Sequence, residues 1–352
     1  MAEMRIGVIG FGGMGHYHVD TVKVPGVRFV AASDIDPAQL EDAGSLNLRA
    51  YCKDEEGFFS DPEINTVLVS VPNHLHKKYA LMAAKAGKNV ICEKPAALSP
   101  EDLAEMVDCA NANNVLFEVH QNRRLDKDFK IAKKVYDEGL IGDIFNIESN
   151  IHMPNGRMHN WHQFKNCGGG MLYDWGIHCI DQALQLVPGK LDSVYCDLKS
   201  VFHTDVDDCY KIIMKFEKGD TVSLNLSTYV LKPYPRWMLC GSKGTCVIQG
   251  FDGSGSIYRT TGLVEKLPPR IEPNPAGPTR SFRPMPPGLL YQEPLPEARA
   301  DHLDFYRNYL RAMSGKAELM VKNEEALRAL RVIMACFESA DAKRSVRFAD
   351  RP

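Results

Sequence analysis

No stretch of this 352-residue sequence approaches the ~20 consecutive apolar residues that cross a bilayer. The opening MAEMRIGVIGFGG is apolar over too few positions, and too rich in glycine, for a secretory signal. Ten cysteines form no CxxC pair, and Cys92, Cys179 and Cys336 fall inside apolar patterns, which argues against a zinc framework and predicts reduced, buried thiols. An excess of one charge is missing too. Lys+Arg number 42 and Asp+Glu 45, interspersed, for a net charge of −3, so no basic field invites nucleic acid or a membrane surface. These absences predict a soluble, cytoplasmic protein with no metal, whose partner is a small molecule.

What is present falls into two parts, and the length allows the cores of two ordinary domains. Apolar runs at Arg5–Gly10, Arg28–Ala32, Thr66–Val71, Asn89–Cys92 and Val115–Val119 read as strands. Amphipathic stretches lie between several of them: Lys77–Ala86 closes on Gly87, and Pro100–Ala112 opens on Ser99 with Asp102 three residues on. Strands that are apolar throughout, separated by helices, predict a parallel sheet covered on both faces. Residues 1–122 are therefore expected to form a dinucleotide-binding domain of the Rossmann type.

From residue 123 the texture changes. Helices near Asp126–Tyr136 and Trp175–Leu186 flank a strand near Asp143–His152. β-like runs follow at Ser193–Phe202, Tyr210–Phe216, Thr221–Val230, Trp237–Cys240 and Thr245–Gln249, with the polar turns Glu217–Asp220 and Gly241–Gly244 marking antiparallel hairpins. Residues 123–352 are expected to form an α+β domain with a mainly antiparallel sheet, making the whole an α/β protein. Val222, Leu224, Leu226 and Val230 are expected on an exposed face whose covering would make a homodimer or homotetramer. Residues 267–296 hold ten of the 21 prolines and predict an arm or loop. Helical patterns resume at Asp301–Met313 and Glu324–Asp341.

The first chemical signal is Gly10-Phe11-Gly12-Gly13-Met14-Gly15, a GxGxxG order running from a strand into a helix. Gly10 permits the tight turn, Gly12 lets the backbone approach a pyrophosphate, and Gly15 allows close helix–strand packing. A glycine-rich turn without a ligand would look the same in isolation. Asp34, 19 residues after Gly15 and just past the second strand, adds an acceptor for the adenosine ribose hydroxyls and a charge that repels a 2′-phosphate. NAD is therefore expected over NADP.

The second signal is Glu93-Lys94-Pro95, at the carboxyl end of a parallel strand, where open α/β sheets bind ligands. With GFGGMG at 10–15, VPNHLH at 71–76, AGKNVICEKP at 86–95, QNRR at 121–124 and GGGMLYDWGIHCID at 168–181, the chain resembles the glucose–fructose oxidoreductase and inositol 2-dehydrogenase (Gfo/Idh/MocA) family. The resemblance implies a nicotinamide-dependent dehydrogenase of sugars, cyclic polyols or related hydroxy compounds, whose second domain carries an open sheet that often forms subunit contacts. It implies a catalytic group of Lys94, Asp174 and His178, and a cofactor near Val71, Pro72, Asn73, His76, Glu93, Lys94 and Gln121. The substrate is expected against Lys94, Arg123, Trp161, His162, Asp174 and His178. Relatives often carry arginine where His162 stands, which leaves the transferred substrate identity open.

The residues support the transfer. Asp174 precedes a helical pattern and is expected to cap it, with His178 four residues on along the same face. His178, with an ordinary pKa near neutrality, suits the base that takes a hydroxyl proton, and Lys94 suits the cation beside the reacting oxygen. Two other readings use the same residues: a glycosidase or lyase that oxidises a ring hydroxyl transiently with catalytic NAD, and a non-catalytic nucleotide sensor. Histidines 152, 159 and 162 lack the carboxylate or cysteine spacing of a metal site.

Overall fold

The computed structural model describes residues 3–154, 156, 158–261, 271–277, 279–280 and 288–348. Six strands form the first sheet: β1 (Met4–Ile9), β2 (Val27–Asp34), β3 (Arg49–Cys52), β4 (Thr66–Val69), β5 (Asn89–Cys92) and β6 (Phe117–Val119). They run parallel in the order β3-β2-β1-β4-β5-β6. The order reverses between β1 and β4, which opens a crevice at the carboxyl edge there. All four residues of β4 are buried, as the uninterrupted apolar run predicts for a sheet covered on both faces.

Helices α1 (Gly13–Thr21), α2 (Glu55–Ser60), α3 (His76–Lys85) and α4 (Pro100–Ala112) connect these strands. Ser99 caps α4, its Oγ accepting the Asp102 N–H at 3.1 Å, and Gly87 leaves α3 at φ +70°. Both boundaries stand where the sequence signals put them. The short, half-exposed β3 and α2 carry too weak a pattern to be read from sequence.

The second sheet has nine strands: β7 (Ile144–His152), β8 (Leu191–Lys199), β9 (Cys209–Phe216), β10 (Thr221–Ser227), β11 (Trp237–Gly241), β12 (Gly244–Ile248), β13 (Gly255–Thr260), β16 (Leu290–Pro294) and β17 (Val346–Arg347), while β14 (Ile271–Glu272) and β15 (Thr279–Arg280) pair separately. Among the described strands of this sheet only β7 and β10 pair in parallel; the other neighbours run antiparallel. Helices α5 (Lys127–Asp137), α6 (Ile177–Leu186), α7 (Leu303–Ala312) and α8 (Asn323–Ala342) complete the fold. Residues 267–270, 278 and 281–287 of the proline-rich stretch lie outside the described residues, and the end of that stretch joins the sheet as edge strand β16, a position that tolerates Pro294.

One expectation is overturned here. Val222, Leu224 and Leu226 are at most 1 % exposed, so they face the core and offer no open apolar surface. The strict alternation of β10 identified one apolar face; helix α6 packs on it, leaving Ser223, Asn225 and Ser227 on the other side. These three residues give no open face for a homodimer or homotetramer to cover.

The chain's end returns to the first sheet. Tyr306 on α7 bonds His18 on α1, and Tyr309 donates to the carbonyl of Val90 on β5. No helix among the described residues is long and apolar enough to cross a membrane.

Candidate active site

A cleft of ≈ 720 Å³ opens over the carboxyl edge of the first sheet. Gly10, Gly12, Gly13, Met14, Asp34, Val71, Pro72, Asn73, His76, Glu93 and Lys94 line it, with Trp161, His162 and Asp174 from the second part of the chain. Phe11, Gly15, Gln121, Arg123 and His178, also expected at the site, stand outside this lining.

The glycine turn has the form a diphosphate requires. A Cβ on Gly10, at φ +87°, would fall 2.7 Å from the Ser70 backbone, and one on Gly15 would meet the Gly10 carbonyl at 2.6 Å. Gly12 and Gly13 face open space, and among the described residues no side chain caps α1. Gly12, Gly13 and Met14 of this uncapped turn line the cleft, the arrangement that binds an anion at a helix start. Phe11 is fully buried; its N–H donates to Asp34 Oδ2 at 2.8 Å, fixing the carboxylate in the wall of the cleft. Uncapped turn, open approach and anchored acid together fit a dinucleotide.

At the other end, Lys94 bridges the two parts of the molecule. Its Nζ donates to Asp174 Oδ1 at 2.7 Å and to the Asp174 carbonyl at 3.1 Å. Asp174 does not cap α6 as expected. The chain coils into a wide turn, Leu172–Gly176, ahead of Ile177, so Asp174 lies inside continuous helical backbone and its carboxylate is free to swing to Lys94. Such wide turns occur often at functional sites. The cap comes from Asp207, whose Oδ2 accepts the Leu172 N–H at 2.7 Å and whose carbonyl accepts that of Met171 at 2.9 Å. Burial pushes the Asp207 carboxyl up to about 6. Burial opposes ionisation of Asp174 as well, but Lys94, His162 and Arg123 outweigh it and hold that carboxyl below its ordinary range.

His178, 5 % exposed, stands four residues on from Asp174, with Nδ1 3.2 Å from Gln121 Oε1. Its pKa is not the ordinary one expected. Burial, then Lys94, then Arg123 drive it well below 6.5, so the ring is neutral at physiological pH. Arg123 lies over Trp175 at 4.4 Å and over Phe251 at 5.3 Å, and pairs with Asp126 at 3.1 Å. Trp161 and His162 stack at 3.7 Å on the loop facing Lys94 and Asp174. Asn73 Nδ2 donates to the Gly168 carbonyl at 2.8 Å, and Gly168, at φ +76°, has Asn73 and Leu98 where a side chain would be.

His76 and Glu93 are tied to the backbone and to other side chains. His76 places its ring nitrogens 2.8 Å from the carbonyls of Val71 and Pro95, joining two loops of the cleft. Glu93 accepts at Oε1 from His18 Nε2 and His120 Nδ1, both at 2.8 Å, while Tyr306 donates to His18 Nδ1. His18, Glu93 and His120 are a buried group of a kind that could hold a metal ion, and in this structure they are joined by these hydrogen bonds. Sequence reasoning missed His18, His120, Tyr306 and Asp207. A histidine one helical turn past Gly15 and another directly after strand β6 were available signals; Tyr306 and Asp207 reach their partners from 288 and 35 residues away.

A parallel sheet in this order, an uncapped glycine turn at its switch point and a lysine clamped by a carboxylate from a second lobe define a dinucleotide-binding oxidoreductase. Residues 4–121 match the model of the oxidoreductase family with NAD-binding Rossmann fold, and residues 129–247 match the GFO/IDH/MocA C-terminal domain. The chain belongs to the GFO/IDH/MocA family. An NAD-binding protein from Listeria innocua is 34% identical over 99% of this chain and 100% of its own, with a TM-score of 0.91. A scyllo-inositol 2-dehydrogenase (NADP(+)) of Bacillus subtilis is 28% identical over 83% of this chain and 81% of its own. A levoglucosan dehydrogenase of Pseudarthrobacter phenanthrenivorans is 32% identical over 55% of this chain and 53% of its own.

Proposed function

We propose that the protein transfers hydride between a secondary alcohol of a sugar, glycoside or inositol and NAD(P), with residues 1–122 holding the cofactor and 123–352 the substrate. The observation that carries this reading is the Lys94–Asp174 pair, 2.7 Å across the two lobes at the end of the dinucleotide cleft. The names of the inositol and levoglucosan dehydrogenases among its relatives support the substrate class.

When bound, the cofactor supplies the hydride acceptor. The chain's own residues handle the proton and the charge. Lys94 places an ammonium beside the reacting oxygen, where it stabilises negative charge as the O–H bond breaks. Asp174 fixes that ammonium in position. His178, neutral and flanked by cations, accepts the hydroxyl proton, and the same cations make the resulting imidazolium quick to release it. Asp34 sits where a 2′-phosphate would bring like charge, so NAD is the preferred form.

Lys94→Ala and His178→Ala are each expected to lower kcat by roughly 10²–10⁴-fold with NAD affinity kept. The assay is a panel of inositols, free hexoses and glycosides, run with NAD and NADP separately. Near-normal turnover in both variants, or product formed without net cofactor reduction, would overturn the reading; the second result would favour transient oxidation in a glycosidase or lyase.

A further inference from the structure

Gln121 follows β6, is 3 % exposed, and stands outside the cleft lining, with its amide oxygen turned to the ring of His178. An amide oxygen accepts and never donates. With that oxygen facing Nδ1 at 3.2 Å, the tautomer that completes the hydrogen bond carries its proton on Nδ1 and has its lone pair on Nε2. We infer that Gln121 is a positioning residue that fixes His178 as the Nδ1–H tautomer and so makes Nε2 the proton acceptor. This rests on His178 being the base of the proposed reaction, and it gives Gln121 a role beside the cofactor contact that the resemblance implied.

Charge explains why an amide suits this position. The groups acting on His178 are Lys94, Arg123 and His120, which disfavour its cation, and Glu93, which favours it. A carboxylate at position 121 would add a second anion and hold the ring protonated, removing the lone pair that the reaction needs. The amide sets the tautomer without adding charge. The proton account also closes. The alcohol O–H proton goes to Nε2, the imidazolium keeps Nδ1–H on the Gln121 oxygen, and release from Nε2 restores the starting tautomer with no reorientation of the amide.

The test combines ¹⁵N-histidine NMR with kinetics, the His178 signal being assigned by its loss in His178→Asn. In the wild-type protein Nδ1 is expected to be the protonated nitrogen. Gln121→Leu should populate both tautomers and lower kcat by roughly tenfold or more while NAD binding persists. Gln121→Glu should raise the His178 pKa, read by NMR and on the acid limb of kcat/KM, by about one unit or more. An Nε2-protonated ring in the wild type overturns the inference, as does a Gln121→Leu protein with weakened NAD binding and an unchanged His178 signal. If the wild type oxidises no alcohol yet shows Nδ1–H lost in Gln121→Leu, the dehydrogenase reading fails while the tautomer assignment stands.

Discussion

Glu118 on β6 has no exposed surface; its Oε1 accepts the Val321 N–H at 2.7 Å, and Oε2 has no hydrogen-bond partner among the described residues. Burial lifts its carboxyl to about 8, against the opposing pull of the Val321 N–H and Arg124. A carboxyl whose folded pKa exceeds its unfolded one is bound to a proton in the fold. Its contribution to stability is complete below about 4.5 and is lost as pH rises through about 8. Glu118→Gln mimics the protonated form, so it should change stability little at pH 5 and raise it by on the order of 1–3 kcal/mol near pH 9. Melting curves at both pH values decide: equal shifts at the two would mean that Glu118 does not titrate in this range. Nothing in the run Phe117–Val119 announces this behaviour, because burial of one acid depends on Val321 arriving from two hundred residues away. Lys94 and Asp174 were legible for the opposite reason, since each lies in a short local motif. The environment of His178 was not, being set by Lys94 and Arg123 from other elements.

At the scale of elements, the helix bearing Asp174 and His178 owes its start to a residue from another segment. Asp207 accepts the Leu172 N–H, and Gly170, at φ +104°, admits it, since a Cβ there would lie 2.4 Å from Asp207 Oδ1. Asp207→Ala should cost about 1 kcal/mol as a lost cap and lower turnover by loosening Asp174 against Lys94, whereas Asp207→Asn, which keeps an acceptor oxygen, should retain most of both. Gly170→Ala is expected to be worse than either, combining backbone strain with the collision. Denaturation midpoints and kcat for the three variants test the order; equal losses in Asp207→Ala and Asp207→Asn would show that the charge rather than the hydrogen bond matters. The wide turn Leu172–Gly176 could not be read from sequence, because Met-Leu-Tyr-Asp-Trp-Gly fits an ordinary helix start as well. Elements with dense local signals were legible: the glycine turn, the Ser99 cap, the Glu217–Asp220 hairpin. β10 was half legible, because alternation shows that a strand has an apolar side and leaves open what covers it.

On the scale of the whole molecule, the two lobes meet in pairs such as Lys94 with Asp174 and His18 with Tyr306, and just past the junction Arg124 ties α6 to α8 inside the second lobe. Its side chain is 8 % exposed, its Nε and Nη2 reach the two oxygens of Asp181 on α6 at 2.7 and 2.5 Å, and Nη1 reaches Glu325 on α8 at 2.6 Å. A bidentate buried pair contributes modestly to stability when intact, because desolvation offsets much of its attraction. Removing one partner is different, since Asp181 at 2 % exposure would be left as a buried charge. Arg124→Met should therefore cost ~3–5 kcal/mol. Arg124→Met with Asp181→Leu should recover most of that loss, because both charges leave together and comparable volume remains. Chemical denaturation of the single and double variants gives both quantities, and NAD affinity should follow the folded fraction alone, since neither residue lines the cleft. A single variant losing less than ~1 kcal/mol, or a double variant no more stable than the single, would mean that water reaches Asp181 and screens the pair.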